Sequence, residues 1–350
     1  MNIIELLTPA YEVAWLPWAV QYFFLIGICA TSALMAAAAA LAPAGSGMSR
    51  LLPAIVAVLL VSALSAPVSL LADLHQPGRF WHFYAHFTPW SWMSIGALLL
   101  PVFIGLTLLF ALAWWTHRPG LLKVLAVLLA ASAASILVYT GAEVMAVHSR
   151  PLWNTPFLPL NFALTGWLAA LGAILLVARW LPGGLQALPA ATLRRLSLSA
   201  VVLLMACAAL WVAAGLAGLD ASFDTAVRLF DLFPVWRLSL FGSIAAGLII
   251  LALVLAPAER HTARLYSLLI AAAMLATAWI FRWILFMGVQ GVPKYGAGLY
   301  LYSMPLGSDG LLGMAGVLGL CIALIALVSI AFDYLPARTA HAALHAAPRH

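Results

Sequence analysis

The chain has 350 residues, of which 66% are hydrophobic and 7% charged. Soluble domains carry about 25% charged residues, so this composition excludes a water-soluble globule and indicates an integral membrane protein. The net charge of +6 arises from basic residues scattered between apolar runs, a topological signal that gives no hint of nucleic acid.

Apolar runs long enough to cross a hydrocarbon core about 30 Å thick as helix fall near 17–41, 51–74, 90–115, 121–147, 158–181, 196–219, 235–255, 265–289 and 311–332. They predict an all-α protein of nine transmembrane helices. Pro67 and Pro101 lie inside the second and third runs. Neighbouring helices in a bundle tolerate such breakers, so both runs are read as kinked spans.

Alternate loops differ in charge. One set carries Arg50, Arg118, Lys123, Arg179, Arg194, Arg195, Arg260, Arg264, Arg338 and Arg349, while the other has only Arg79, Arg150, Arg228, Arg237 and Lys294. Cytoplasmic loops carry the excess of Lys and Arg. The N-terminus, with Glu5 and Glu12, is therefore expected outside and the C-terminus inside. Segments 75–89, 148–157, 220–234 and 290–310 then face the periplasm. The first run lacks a basic segment before it, so it is expected to be a retained span and not a cleaved signal. Trp15, Trp18, Trp81, Trp90 and Trp92 are assigned to the outer interface, and Trp114, Trp115 and Trp180 to the inner one.

Some chemistry is disfavoured. Cys29, Cys207 and Cys321 stand in separate apolar runs without Cys-x-x-Cys spacing, so no iron–sulfur cluster is expected in this chain. The histidines fall at helix ends, in loops or in the tail, which offers no pair of mid-membrane haem ligands. No Gly-rich phosphate loop is present.

The informative polar residues gather toward one side. Asp73 and His75 end the second run, and Arg79, Trp81, His82 and His86 follow at once in DLHQPGRFWHFYAHFTPWSW. A carboxylate at a helix C-terminus faces the negative end of the macrodipole, unfavourable unless a cation or proton compensates it; Arg79 is the nearest candidate partner of Asp73. Glu143 lies near the outer end of the fourth run, one turn beyond Tyr139, and i, i+4 spacing places both on one helix face. Gln21 sits on the first run beside Trp18. Arg282, inside the eighth run, should pair with an acid or a carbonyl.

An Asp73–Arg79 pair has a structural reading, as a cap that ties down the loop. A phenol and a carboxylate inside the membrane have fewer such uses. Together these residues suggest a site for a lipid-soluble quinol, which needs an apolar groove, hydrogen-bond partners for two hydroxyls, and groups that take two protons. Asp73, His75 and Glu143 are the candidate proton-handling residues; Gln21, Tyr139, His75 and Glu143 are the candidate ligand contacts. A transporter with a polar outer vestibule is the alternative from a different class, although midplane charges in corresponding halves are not evident.

DLHQPGRFW after the second run, YTG at Tyr139 to Gly141, SRPLWNTPFLPLNF from Ser149 and the late Arg282 helix with its polar loop resemble the NrfD-type, or polysulfide reductase-like, membrane subunits. WLPWAVQYFFLIGI from Trp15, WHFYAHFTPWSWM from Trp81 and VQGVPKYGAGLYLYSMPLGSDG from Val289 are most similar to the tetrathionate reductase branch of that family. The resemblance spans roughly Trp15 to Ile322.

The resemblance implies a first four-helix bundle with the quinol site (17–147), a second bundle (158–289) and a ninth helix (311–332); the charge bias adds a periplasmic N-terminal segment (1–16) and a flexible cytoplasmic tail (337–350). The resemblance also implies residence in the bacterial inner membrane, menaquinol or ubiquinol as substrate, and an exported ferredoxin-like four-cluster iron–sulfur subunit and a molybdopterin catalytic subunit as partners. Its quinol contacts carry over to Gln21, Asp73, His75, Tyr139 and Glu143. A thiosulfate or polysulfide enzyme would use the same kind of anchor.

Overall fold

The computed structural model describes residues 13–74, 76–292 and 300–334. His75, Glu5, Glu12, Lys294, Arg338, Arg349 and the tail 337–350 lie outside them. Among the described residues the chain is all α, with no strand. In order, the helices are α1 (Pro17–Leu41), α2 (Gly47–Asp73), α3 (His82–Ala85), α4 (Trp92–Trp115), α5 (Pro119–Met145), α6 (Phe157–Val177), α7 (Ala190–Leu216), α8 (Ala221–Leu232), α9 (Pro234–Leu255), α10 (Arg264–Trp283) and α11 (Leu311–Asp333). A π-helical turn, Ile284–Gly288, continues α10.

Nine of the described helices are long and apolar enough to cross a membrane: all except α3 and α8. Pro67 and Pro101 both sit inside their helices, as expected. The segment 220–234 differs from a plain extramembrane loop. Most of it forms α8, capped by Asp220, whose Oδ1 accepts the Ser222 amide at 2.8 Å. The α8 helix is amphipathic, turning Ser222 and Leu229 inward and Asp224, Arg228 and Asp231 outward. A run-length test for membrane spans cannot register so short and polar a helix. The preceding α7 ends at Leu216, short of the expected 219, where Gly218 adopts φ +71°, a conformation that closes helices.

Successive spans alternate in direction, so the molecule has an Asp73 end and an Arg264 end. Helix α1 is central: it packs on α2, α5, α6, α10 and α11, and 72% of its most apolar window is buried, against 11% for α11. Its buried Ala30, Ala33, Ala36 and Ala37 permit close helix approach, the mode favoured where lipid removes the hydrophobic drive between helices. At the α1–α6 crossing a Cβ on Gly166 would stand 2.9 Å from the Gly27 carbonyl oxygen. Helices α9 and α11 instead expose leucines such as Leu238 and Leu318, surfaces suited to lipid.

The Asp73 end is fastened by backbone recognition. Gln290 accepts the Trp15 amide at 2.9 Å and donates to the carbonyls of Trp15 and Phe286. Arg150 donates to the carbonyls of Val289 and Val292, and the Trp153 indole to that of Leu285. Inside this clasp Trp15 stacks on Trp153 at 5.4 Å, and Phe23 lies 4.5 Å from Phe286. Trp15, assigned to the interface by sequence, is thus a packing residue, whereas Trp81, Trp90, Trp92 and Trp180 are exposed.

Candidate functional site

Arg282 is fully buried. Its Nε donates to the Phe23 carbonyl at 2.8 Å, and its terminal nitrogens to Thr165 Oγ1, Ala278 O and Phe162 O at 3.0 to 3.2 Å. It therefore joins α1, α6 and α10 through carbonyls and a hydroxyl. Helical carbonyls already accept an intrahelical bond, and Arg282 uses their second lone pairs. Of the two partner types expected for this residue, the carbonyl is the one found.

Four of the five sequence candidates lie toward the Asp73 ends of α1, α2 and α5, where Asp73, Tyr139 and Glu143 are mutually close. Tyr139 is 4% exposed and Gln21 8%. Glu143 follows Tyr139 by one turn, close enough to interact through the phenol hydroxyl. Asp73 lies within electrostatic reach of Glu143 and accepts the Leu16 amide at 3.1 Å. The expected Asp73–Arg79 pair does not form: Arg79 is exposed and makes no ion pair among the described residues. The amide at the start of α1 takes that role, since unsatisfied N–H groups and positive dipole gather there. His75 lies outside the described residues. On α3, His82 and His86 stand apart from the cluster, with rings 5.8 Å from each other.

The YTG string gains a local explanation. Thr140 bonds back to the Ile136 carbonyl at 2.9 Å. Gly141 faces α6, where a Cβ would collide with Pro159. The phenol of Tyr139, projecting from a different face, covers Gly96 of α4 so closely that any Cβ there would meet its ring. The carbonyl of Met145, at the end of α5, is met by the Asn154 side chain at 2.6 Å.

Two contributors escape a reading of the sequence. Tyr22, beside Gln21, is 1% exposed; its hydroxyl has no well-formed hydrogen bond among the described residues, although it lies close enough to Tyr139 to interact through the hydroxyls and is near Glu143. Gly96 clears space for the Tyr139 ring. The available signal for Tyr22 is a phenol inside an apolar run on the same helix as Gln21. Gly96 offers none, because an isolated glycine in a span is common.

Gln21 makes no side-chain hydrogen bond among the described residues, but its amide, unlike the Tyr22 hydroxyl, is not fully enclosed. Buried polar groups are normally paired, so the Tyr22 hydroxyl leaves hydrogen-bonding capacity unused beside Tyr139 and Glu143. Together these groups can bind a hydroxyl or carbonyl and accept a proton. No group of three or more His, Cys, Asp or Glu that could hold a metal occurs among the described residues. Two clefts lie at the opposite end of the helices, one bordered by Arg179 and Arg264, the other by Leu109 and Arg118.

A family model described as polysulphide reductase, NrfD, matches residues 6–293. The chain is also 35% identical over 346 residues to one of the subunits of tetrathionate reductase from Salmonella typhimurium, covering 97% of this chain and 98% of that protein. The nine apolar helices and these two matches agree: the chain is a multi-pass membrane protein belonging to the NrfD polysulphide reductase family.

Proposed function

We propose that this protein is the quinol-oxidising membrane subunit of a periplasm-facing molybdoenzyme complex in a bacterial inner membrane. The observation that carries the reading is the fully buried Tyr22 hydroxyl without a well-formed hydrogen bond among the described residues, set beside Gln21, Tyr139 and Glu143. Quinol (menaquinol or ubiquinol) enters from the bilayer, with one hydroxyl bound by Tyr22 and Gln21. Glu143 takes a proton, with Tyr139 orienting its carboxylate, and Asp73 and His75 lead protons to the outer face. Each quinol becomes quinone, releasing two protons and two electrons.

The electrons pass to a ferredoxin-like iron–sulfur subunit and on to a molybdopterin subunit. There two electrons convert one tetrathionate into two thiosulfates, the acceptor favoured by the tetrathionate reductase relative. The exposed aromatic stretch from Phe80 through Trp81, Tyr84 and Phe87 to Trp90 supplies the docking surface. The two-bundle grouping, 17–147 and 158–289, and the outward N-terminus belong to the same reading. Protons and electrons leave on one side, so the subunit itself moves no charge across the membrane.

The test uses the intact complex, purified in mild detergent and analysed for quinone, iron and molybdenum. Glu143→Gln and His75→Ala are expected to slow quinol-driven reduction by about 100-fold, a common contribution of a general base, while dye-driven reduction by the catalytic subunit persists. Equal loss of both activities assigns these residues to assembly. A lone, metal-free and quinone-free chain favours a transporter.

A further inference from the structure

The Arg264 end carries a feature the quinol reading leaves unused. Between the turn that ends the α6 span and the segment leading into α10 lies a cleft of about 380 Å³, lined by Arg179, Trp180, Leu185, Gln186, Thr262 and Arg264. Two guanidinium groups meet there. Arg179 Nη2 donates to the Arg264 carbonyl at 2.8 Å and to Ser267 Oγ at 2.5 Å, which holds it close enough to Arg264 for their charges to repel. Among the described residues no carboxylate pairs with them: Glu259, the acid of this segment, is exposed and forms no ion pair there.

The cations are also short of acceptors. Arg179 Nε is buried with no hydrogen-bond partner among the described residues, and the Arg264 side chain donates no bond there. The start of α10 adds positive potential, with neither a side-chain cap nor an acid in its first turn. Trp180, 53% exposed, and Leu185 give the cleft an apolar flank at the level where the spans end.

We propose that this cleft binds a phosphate group, carried by an anionic membrane phospholipid or free in solution. Paired guanidiniums recognise phosphate through parallel charge-assisted hydrogen bonds, Gln186 and Thr262 supply neutral donors, and the aromatic flank suits a glycerol and acyl stem. Basic pockets between spans are the setting in which phosphate headgroups are held. The site stands independently of the quinol cluster and of the orientation assigned above.

Native mass spectrometry of the detergent-purified protein, titrated with dioleoylphosphatidylglycerol or dioleoylphosphatidylcholine, tests the lipid source. Thermal unfolding in inorganic phosphate against chloride at equal ionic strength tests the free anion. Arg264→Gln is the principal variant, because that side chain is exposed and unbonded and its loss leaves the ligand-free melting point unchanged. Arg179→Gln/Arg264→Gln is the second. The expected result is retention of phosphatidylglycerol over phosphatidylcholine, reduced roughly tenfold in Arg264→Gln and further in the double variant. Stabilisation by inorganic phosphate that vanishes in both variants, without lipid preference, assigns the site to the free anion. Binding of either ligand that is indifferent to both substitutions, or no binding at all, overturns the proposal.

Discussion

Arg282 and Tyr22 are both buried polar side chains in the membrane region of the same molecule, yet they differ in how their hydrogen-bonding groups are used. The guanidinium makes four hydrogen bonds to three helices, whereas the phenol hydroxyl makes no well-formed one among the described residues. A saturated buried group holds a fold together; an unsaturated one costs about 1–3 kcal/mol and is understandable where a ligand completes it. The contrast separates the structural centre of this protein from its candidate chemical centre, although the charged residue is the one that draws the eye in the sequence.

The sharpest way to break the comparison is at Arg282. Lysine keeps the charge and loses the planar fork, leaving a buried cation short of geometry, so Arg282→Lys is expected to destabilise by on the order of 3 kcal/mol. Arg282→Met, which removes the charge as well, should be milder. Thermal unfolding of the purified chain measures both; a lysine variant as stable as wild type would remove Arg282 from its structural role. Next in size, Gly96→Ala forces the Tyr139 ring aside. Quinol-driven turnover should fall roughly 10- to 100-fold, as misplacement near a reacting group does, with about 1–3 kcal/mol of overpacking cost. Retained turnover would free Tyr139 from the site.

Tyr22→Phe sharpens the comparison from the other side. Removing an unpartnered hydroxyl should leave stability equal or raised, while weakening quinol binding by about one hydrogen bond, read as a KM roughly 3- to 10-fold higher. A loss of stability without any kinetic change would make Tyr22 structural like Arg282. The smallest effect concerns His261, buried in the loop before α10 with Nε2 unpartnered among the described residues. Burial, assisted by nearby Arg194, holds its pKa below the ordinary histidine value. The unfolded chain then binds the extra proton first, so stability should be full above about pH 6.5 and decline as pH falls through the folded-state value. His261→Gln should flatten that decline in melting temperature.

The nine spans were legible because membrane crossing imposes length and apolarity, and both are written residue by residue. Asp73 and Glu143 stood out as candidates because ionisable groups within spans are rare, and Tyr139 because it precedes Glu143 by one helical turn. What escaped depended on helices meeting each other. Asp73 finds the amide of Leu16, distant in sequence, instead of nearby Arg79, and Gly96 matters only because α4 packs on α5. Helix α8 is hidden for another reason: a run-length criterion has no sensitivity to a twelve-residue amphipathic helix. The Gln290 clasp on Trp15 joins segments far apart in the chain and has no local signature.

The long reach of Arg282 also bears on how the chain is made. Arg282 lies in the last turn of α10, so placing it in lipid alone costs less than the about 2.5–3.5 kcal/mol of an arginine at a span centre, and the acceptors it uses on α1 and α6 are synthesised far earlier. Full hydrogen bonding of the guanidinium is reached only when α10 meets α1 and α6, so the last third of the polypeptide completes its packing against helices made before it.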